Sequence, residues 1–421
     1  MKSKRTSRAR VLRAAALLVL ASPVSAGVLT VDPSGAGDFL DIQSAVAAAA
    51  EGDVLLVASG TYGPVVIDGL GLAVVADTGA NVVVLGGIAV QNTLPGQRVV
   101  LAGLRSQGQD SVPGSLRKGL VVANTQGPLR VEDCELRGTD GVDYTLGAFG
   151  DDAVLISQAA DAAFARCTFE GGQGAMSFTG YLANRGGDGV RLAQSEVALI
   201  DCVVTGGDGG PGDFYGCDFG GHAGDGVTAT SSFLFASGNT IRGGDGGGDG
   251  LASCQKGGTG VTLFGAAMAV FLDNSSIGGL GACGAQDGLP LFAAPSATMM
   301  SLPGTARKMI APTPARELTA PTFAFAGEPG DAVFLAFSLD PEFLNLLPLN
   351  GVLFVGLPLV LPPQPMGILP ASGTLMAPFA LPALPPSLEA LTVFVQATFL
   401  DAQGALWLAT PSNLILLDQS F

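Results

Sequence analysis

The chain has few of the residues on which most catalytic sites are built. Its 421 residues include one histidine and one tryptophan, and only 13% are charged. A zinc site or a Ser-His-Asp triad would therefore depend on His222 alone. Cations are scarce too, since 20 Lys and Arg stand against 36 Asp and Glu. This acidic balance argues against nucleic acid or an anionic membrane surface as a partner.

Long apolar runs are missing after the first 26 residues. A membrane-spanning helix needs about 20 apolar residues, and the run 351–360 is broken by Pro358. Residues 1–26 resemble a secretory signal, with six basic residues ahead of the apolar run 14–21 and a small-residue cleavage site at Val24-Ser25-Ala26. Removing them leaves 14 basic and 36 acidic residues, a net charge of −22. The sequence predicts a protein that is secreted or on the cell surface of a bacterium, with no transmembrane segment in the mature chain.

Glycine is abundant, at 62 residues, and it marks an internal repeat. Segments 129–141, 162–174, 197–209 and 234–246 align, with 269–281 as a weaker copy, and each ends in a glycine-rich tail. Such a period predicts stacked coils. One interior position recurs every 33 to 37 residues and predicts a buried structural ladder, formed by Cys134, Cys167, Cys202, Asn239 and Asn274.

The fold class that follows is all-β: a right-handed parallel β-helix (solenoid) of roughly eight or more coils, with two strands per coil. Asp38 is expected to N-cap a helix whose apolar face contains Ile42, Ala45, Val46 and Ala49. A single amphipathic helix ahead of many short strands would cover the open first coil.

The stretch VDPSGAGDFLDIQSAVAAAAEGDVLLVASGTYGPVVI, residues 31–67, is similar to the opening of pectin methylesterase and related right-handed parallel β-helix proteins of the pectin-lyase-like superfamily. The matching pieces are Gly35 to Phe39, Ile42-Gln43, Ala45-Val46, Gly52-Asp53 and Gly60-Thr61-Tyr62. The resemblance covers under a tenth of the chain and implies the cap helix and first coil. The active-site patterns of pectin methylesterases and pectate lyases cannot be laid onto this sequence residue by residue.

Composition changes divide the chain into four parts. They are a signal peptide (1–26), the right-handed parallel β-helix (27–294), a Pro, Ala and Thr-rich linker (295–321) and a small antiparallel β-sandwich module (322–421). The last part resembles the C-terminal modules of secreted repeat proteins from environmental bacteria. It is expected to shield the edge of the last coil.

The glycine-rich loops interrupt the repeat at one point, so they are expected along one edge, where binding often occurs. Two columns of aspartates flank them and leave two interpretations open. Either the carboxylates accept turn amides, or they form a row of Ca²⁺ sites from Asp188, Asp208, Asp225 and Asp245. Asp188, Arg191 and Asp225, near Arg185, are also the nearest grouping to a catalytic site, with surface ion pairing as the alternative.

Loop residues suggest two further features. Cys217 and Cys254 occupy equivalent places in adjacent loops and are predicted to form a disulfide. Aromatic rings that could stack on sugars are Tyr181, Phe214, Tyr215 and Phe219, with Tyr144, Phe149 and Phe178 nearby. The sequence thus predicts a non-catalytic carbohydrate-binding or structural protein, with a polysaccharide or cell-surface glycan as partner and Ca²⁺ as the possible cofactor. The alternative is a polysaccharide lyase, hydrolase or esterase of the pectin-lyase-like superfamily.

Overall fold

The computed structural model describes residues 26–110, 114, 116–142, 149–176, 184–212, 220–248, 254–345 and 349–421. The predicted signal peptide, apart from Ala26, lies outside these ranges. Within them, no helix has the length and apolar character that crossing a bilayer demands.

The chain from Val28 to Leu302 winds into a parallel β-solenoid with three sheets. Sheet 1 has ten strands: Val28–Val31, Val54–Val57, Ala73–Ala76, Val99–Ala102, Leu129–Glu132, Ala162–Ala165, Glu196–Ile200, Phe233–Ser237, Met268–Leu272 and Thr298–Leu302. Sheet 2 has eight: Gly60–Tyr62, Val82–Leu85, Leu104–Gln107, Glu135–Arg137, Thr168–Glu170, Val203–Thr205, Thr240–Arg242 and Ser275–Ile277. Sheet 3 also has eight: Val65–Asp68, Ile88–Gln91, Leu120–Thr125, Val154–Ala159, Val190–Ala193, Val227–Thr230, Val261–Phe264 and Leu291–Ala293.

The all-β parallel solenoid is therefore confirmed, but most coils contain three strands and not the two expected. The repeated Cys or Asn position lies in the turn from sheet 1 to sheet 2, facing a core of Val, Leu, Ile and Phe. Asn239 accepts the backbone N–H of Cys202 at 2.8 Å, and its own N–H donates to Asn274 Oδ1 at 3.0 Å. Burial raises the pKa of the Cys167 and Cys202 thiols well above its usual value, so both stay protonated and serve packing.

The cap helix spans Ile42–Ala48 and begins one turn later than the predicted cap residue implies. Its N-cap is Asp41, whose Oδ1 accepts the Ser44 N–H at 2.8 Å. Asp38 instead accepts the backbone N–H and hydroxyl of Thr30, which fixes the loop ahead of the helix. The residues that the helix buries against the first coil are Ile42, Ala45 and Val46.

Antiparallel sheets follow the solenoid. A three-stranded sheet contains Lys308–Ile310, Thr322–Ala326 and Thr374–Pro378. A five-stranded sheet contains Ala315–Arg316, Leu406–Leu417, Ala390–Leu400, Ala332–Ser338 and Gln364–Ile368, the first of which pairs in parallel. Pro341–Asn345 and Val352–Val355 form a hairpin, and a 3₁₀ turn lies at Ala282–Gly284. The segment predicted as a linker, 295–321, thus contains strands of both the solenoid and the C-terminal sheets.

The C-terminal sheets lie along the outer face of sheet 1. The sequence had instead led to the expectation that they cover the edge of the last coil. Val54, Val75 and Val100 of sheet 1 pack against Phe394 and Ile415. Farther along, Glu132 accepts the Asn413 N–H at 3.0 Å and the Ser412 hydroxyl at 2.8 Å. The last strand of sheet 1 keeps Met299 and Met300 half exposed. Apart from this last strand, sheet 1 is largely buried on both faces, which explains its nearly uninterrupted apolar strands.

Candidate functional site

The described parts of the glycine-rich loops between sheet 2 and sheet 3 are hydrogen-bonded to one another. In each loop one segment leaves sheet 2 and another returns to sheet 3, and glycine N–H groups donate to carbonyls of the neighbouring segments. The hydrogen bonds of 2.8 to 2.9 Å run from Gly187 to Gly172, Gly207 to Gly187, Gly224 to Gly207, Gly244 to Gly224 and Gly258 to Gly244. The loops thereby build a two-layered edge, here called the glycine edge and made of 138–142, 150–152, 171–176, 184–189, 206–212, 220–226, 243–248, 256–260 and 278–288.

Glycine is required in the glycine edge because a larger residue would collide with the neighbouring backbone, and not because the backbone is left-handed. A Cβ on Gly207 would lie 1.9 Å from the Gly172 carbonyl oxygen, and one on Gly224 would lie 1.9 Å from the Gly187 oxygen. Neither residue has a φ in the left-handed range. The pattern Gly-Gly-X repeats every three residues, as in extended helices of the polyproline II type, which have three residues per turn and no internal hydrogen bonds. The sequence thus contains a signal for extended, layered segments where only loops were expected.

The first predicted aspartate column occupies the X position of the returning segments. Asp152 Oδ1 accepts the backbone N–H of Asp188 at 2.9 Å, Asp188 Oδ1 accepts that of Asp225 at 3.0 Å, and Asp225 Oδ1 accepts that of Thr259 at 2.7 Å. Each carboxylate thus ties one coil to the next. This geometry is the one expected if the carboxylates accept turn amides, the first of the two interpretations of the aspartate columns.

Two arginines balance the charge of this column. Arg191 Nη2 lies 3.0 Å from Asp188 and 3.1 Å from Asp152, while Arg185 donates to Asp188 at 2.6 Å. Burial, followed by the charge of Asp188, raises the pKa of both Asp152 and Asp225. The catalytic candidates Asp188, Arg191 and Asp225 do lie together, but they are engaged in internal bonds.

The second predicted aspartate column lies on the segments that leave sheet 2, and its carboxylates also accept backbone N–H groups of the next coil. Asp140 accepts the Gln173 N–H at 2.9 Å, and Asp208 accepts the Asp245 N–H at 2.7 Å. Asp245 in turn accepts the Leu280 N–H at 2.8 Å. Among the described residues, no group of three or more His, Cys, Asp or Glu side chains has a geometry that could hold a metal ion. Calcium at Asp188, Asp208, Asp225 or Asp245 remains a prediction.

The structure tests the predicted cysteine pair but not the predicted loop aromatics. The predicted sugar-stacking residues Tyr181, Phe214, Tyr215 and Phe219 lie outside the described residues. Cys217 does as well, but the predicted Cys217–Cys254 disulfide is wrong, because Cys254 is bonded to Cys283. Cys283 comes from the next coil, in the 3₁₀ turn that follows the weakest repeat. The bridge therefore joins the last two loops of the glycine edge.

A groove that the sequence did not predict runs along the turn from sheet 3 to sheet 1. Successive coils place one residue there with a left-handed φ near 50°: Asn92, Asn124, Gln158, Gln194 and Ser231. These exposed polar side chains form a column at the strand spacing of about 4.8 Å. Asn124 donates to Asn92 at 3.0 Å, whereas no hydrogen bond within the described chain occupies the side-chain amides of Gln158 and Gln194. Left-handed backbone favours Asn, which was the available sequence signal.

The strand Pro341–Asn345 of the C-terminal hairpin contributes the opposite wall of this groove, which has a volume of about 930 Å³. Phe343 from the hairpin lies with its ring centroid 6.2 Å from that of Phe233 in an edge-to-face arrangement. Asn345 also comes from the hairpin, whereas Met268 and the charged residue of the lining, Glu196, belong to sheet 1. We call this site the amide groove, with Asn124, Gln158, Gln194, Ser231 and Phe233 contributed by the solenoid and Phe343 contributed by the hairpin.

No protein-family model and no curated protein matches this sequence. Among solved structures, the siphovirus 9NA tailspike receptor binding domain is 10% identical, with 91% of this chain and 98% of that chain covered and a TM-score of 0.17. The receptor-binding protein of bacteriophage Det7, a podoviral tailspike in a myovirus, is 11% identical, with 91% and 97% covered and a TM-score of 0.15. TM-scores of this size support no inference about function, which is therefore drawn from the side chains.

Proposed function

We propose that this protein is a secreted, non-catalytic solenoid that binds an extended, uncharged polysaccharide along the amide groove. The observation that carries the proposal is the column of exposed polar side chains, in which the Gln158 and Gln194 amides have no hydrogen bond within the described chain, beside the rings of Phe233 and Phe343. Amides donate and accept hydrogen bonds, as sugar hydroxyls require, and rings pack on the apolar faces of sugars. The coil spacing of about 4.8 Å is comparable to the rise of one sugar in an extended glycan, so the groove repeats as its ligand does.

The charge distribution supports a neutral ligand. A mature charge of −22 would repel polymers of uronic acids, and the groove lining contains Glu196 but no Lys or Arg. The enzyme alternative receives less support, because its best carboxylates, Asp188 and Asp225, are bonded to backbone amides of the next coil.

The test is retention of the purified mature protein on neutral and acidic polysaccharides, in Ca²⁺ and in EGTA, with reducing-end release measured in the same tubes. We expect retention on at least one neutral glycan, no product release and equal retention in EGTA. Product release would favour the lyase, hydrolase or esterase alternative, and loss of retention in EGTA would support the Ca²⁺ prediction.

The groove itself is tested by Gln158→Ala/Gln194→Ala. Because both side chains are exposed and free of protein hydrogen bonds, the double variant should fold normally and lose at least tenfold in affinity, equivalent to about 1.4 kcal/mol. The matched control is Gln403→Ala, in an exposed turn far along the chain. Equal binding by all three proteins would contradict the amide groove as the site.

A further inference from the structure

One lysine differs from every other cation of the mature chain. Thirteen of the fourteen Lys and Arg residues after position 26 have a carboxylate within 4.0 Å: Arg98, Arg105, Arg117, Lys118, Arg130, Arg137, Arg166, Arg185, Arg191, Arg242, Arg307, Lys308 and Arg316. Within the described ranges Lys256 is the exception. In a protein with this excess of acid, an ammonium without a carboxylate oxygen within 4.0 Å is unexpected.

Lys256 lines a separate concave site of about 420 Å³ at the junction of the glycine edge with sheet 3. Two exposed rings, Phe264 and Phe292, stand side by side there with centroids 5.9 Å apart. His222 and Gln286 complete the polar lining. Exposed neighbouring aromatic rings in a polar concavity are typical of sites that receive the apolar face of a ligand.

The two carboxylates in this site already have internal donors. Asp225 accepts the Thr259 N–H at 2.7 Å and the Thr262 hydroxyl at 2.8 Å, and Asp287 accepts the Gly281 N–H at 2.8 Å. The ammonium of Lys256 is exposed and has no carboxylate partner, so it is the cation of this site that is available to a ligand carboxylate.

We propose that this cavity binds a single carboxylate-bearing sugar, a hexuronate residue, with its carboxylate on Lys256 and its ring against Phe264 and Phe292. The overall charge disfavours an acidic polymer, but a cavity of this size holds one or two sugars, and the nearby cation acts within the screening length of about 8 Å. The cavity shares no lining residue with the amide groove, so the two proposals succeed or fail independently.

The experiment is saturation-transfer NMR and calorimetry on the mature protein with methyl glucuronide and methyl galacturonide, compared with the neutral methyl glucoside and galactoside. We expect binding of at least one acid, no binding of the neutral pair, and weakening as NaCl is raised. Lys256→Gln should reduce the affinity about tenfold, Lys256→Arg should largely retain it, and Phe264→Ala should reduce it as well. Lys308→Gln, at a paired lysine elsewhere, is the charge-matched control.

Binding of neither acid would overturn the proposal. So would equal binding of the acidic and neutral sugars, or equal affinity for the wild type and Lys256→Gln. Lys256 and Phe264 are exposed and Lys308 is half-buried, so a thermal unfolding curve for each variant separates lost binding from lost folding.

Discussion

The solenoid body and its glycine edge hold extended chains together in opposite ways. In the body, Phe164 and Phe169 are completely buried with ring centroids 5.6 Å apart, and side chains fill the space between the sheets. In the glycine edge glycine residues bring the layers into backbone contact, and backbone hydrogen bonds such as Gly207 N–H to Gly187 O connect the segments. The body should therefore be sensitive to making residues smaller, and the edge to making them larger.

The largest expected effect comes from removing bulk in the body. Phe169→Ala should lower the free energy of unfolding by about 3 to 5 kcal/mol, because it leaves a cavity among fully buried neighbours. Chemical denaturation followed by far-ultraviolet circular dichroism measures this. The control is Val203→Ala, an exposed residue of sheet 2 in the next coil, which should change stability by less than about 0.5 kcal/mol. Similar losses in the two variants would contradict a tightly packed interior.

The next effect concerns the covalent bond within the glycine edge. Cys254→Ser/Cys283→Ser opens a link between residues 29 positions apart and should cost about 2 to 4 kcal/mol, localised to the last coils. Hydrogen exchange of residues 254–293 reports it. Reductant should reproduce the loss in the wild type and leave the double variant unchanged. Intact protection of these residues in reductant would show that backbone bonds alone hold the end of the edge.

The cysteines illustrate how far the sequence can be interpreted. Cys134, Cys167 and Cys202 recur at one point of a fixed repeat, so their adjacency follows from the period alone. Cys254 lies in a loop, where the pairing depends on how the loop folds, and Cys283 has no counterpart in earlier repeats. Counting positions between similar loops therefore selected the wrong partner for Cys254.

A third prediction enlarges a residue of the edge. Gly207→Ala places a methyl group 1.9 Å from the Gly172 carbonyl oxygen, so the layers must separate, at a cost of about 1 to 3 kcal/mol. Faster hydrogen exchange is expected in 171–176, 184–189 and 206–212, with the body unaffected. Gly63→Ala is the matched control, since nothing lies within 4 Å of its Cβ position and its φ is not left-handed. Unchanged exchange in Gly207→Ala would mean that the layers are not closely packed.

The amide groove shows why part of the site could not be predicted. The turn residues Asn124, Gln158 and Gln194 are separated by the full repeat and vary in type, so they form no motif. The opposite wall comes from Phe343, more than a hundred residues away, and depends on the C-terminal sheets lying along sheet 1. The apolar character of strands such as Val54–Val57 indicated that both faces of sheet 1 are covered, but not by which segment.

The smallest effect is electrostatic and links body and edge, because the aspartate column lies where they meet. The pKa of Asp152 is raised in the folded protein by burial and by the charge of Asp188, so the folded state binds this proton more tightly than the unfolded state. The contribution of this group to the free energy of unfolding is fully present below the ordinary carboxylate pKa of about 4. It is lost as the pH rises through the raised pKa of the folded state. Asp152→Asn keeps an oxygen for the Asp188 N–H and removes the charge. The free energy of unfolding of this variant should therefore exceed that of the wild type by less than about 1 kcal/mol at pH 7. Its free energy of unfolding should also vary less with pH between pH 4 and 7. A variant less stable than the wild type at pH 7, in denaturation at several pH values, would show that the Arg191 ion pair outweighs the cost of burial.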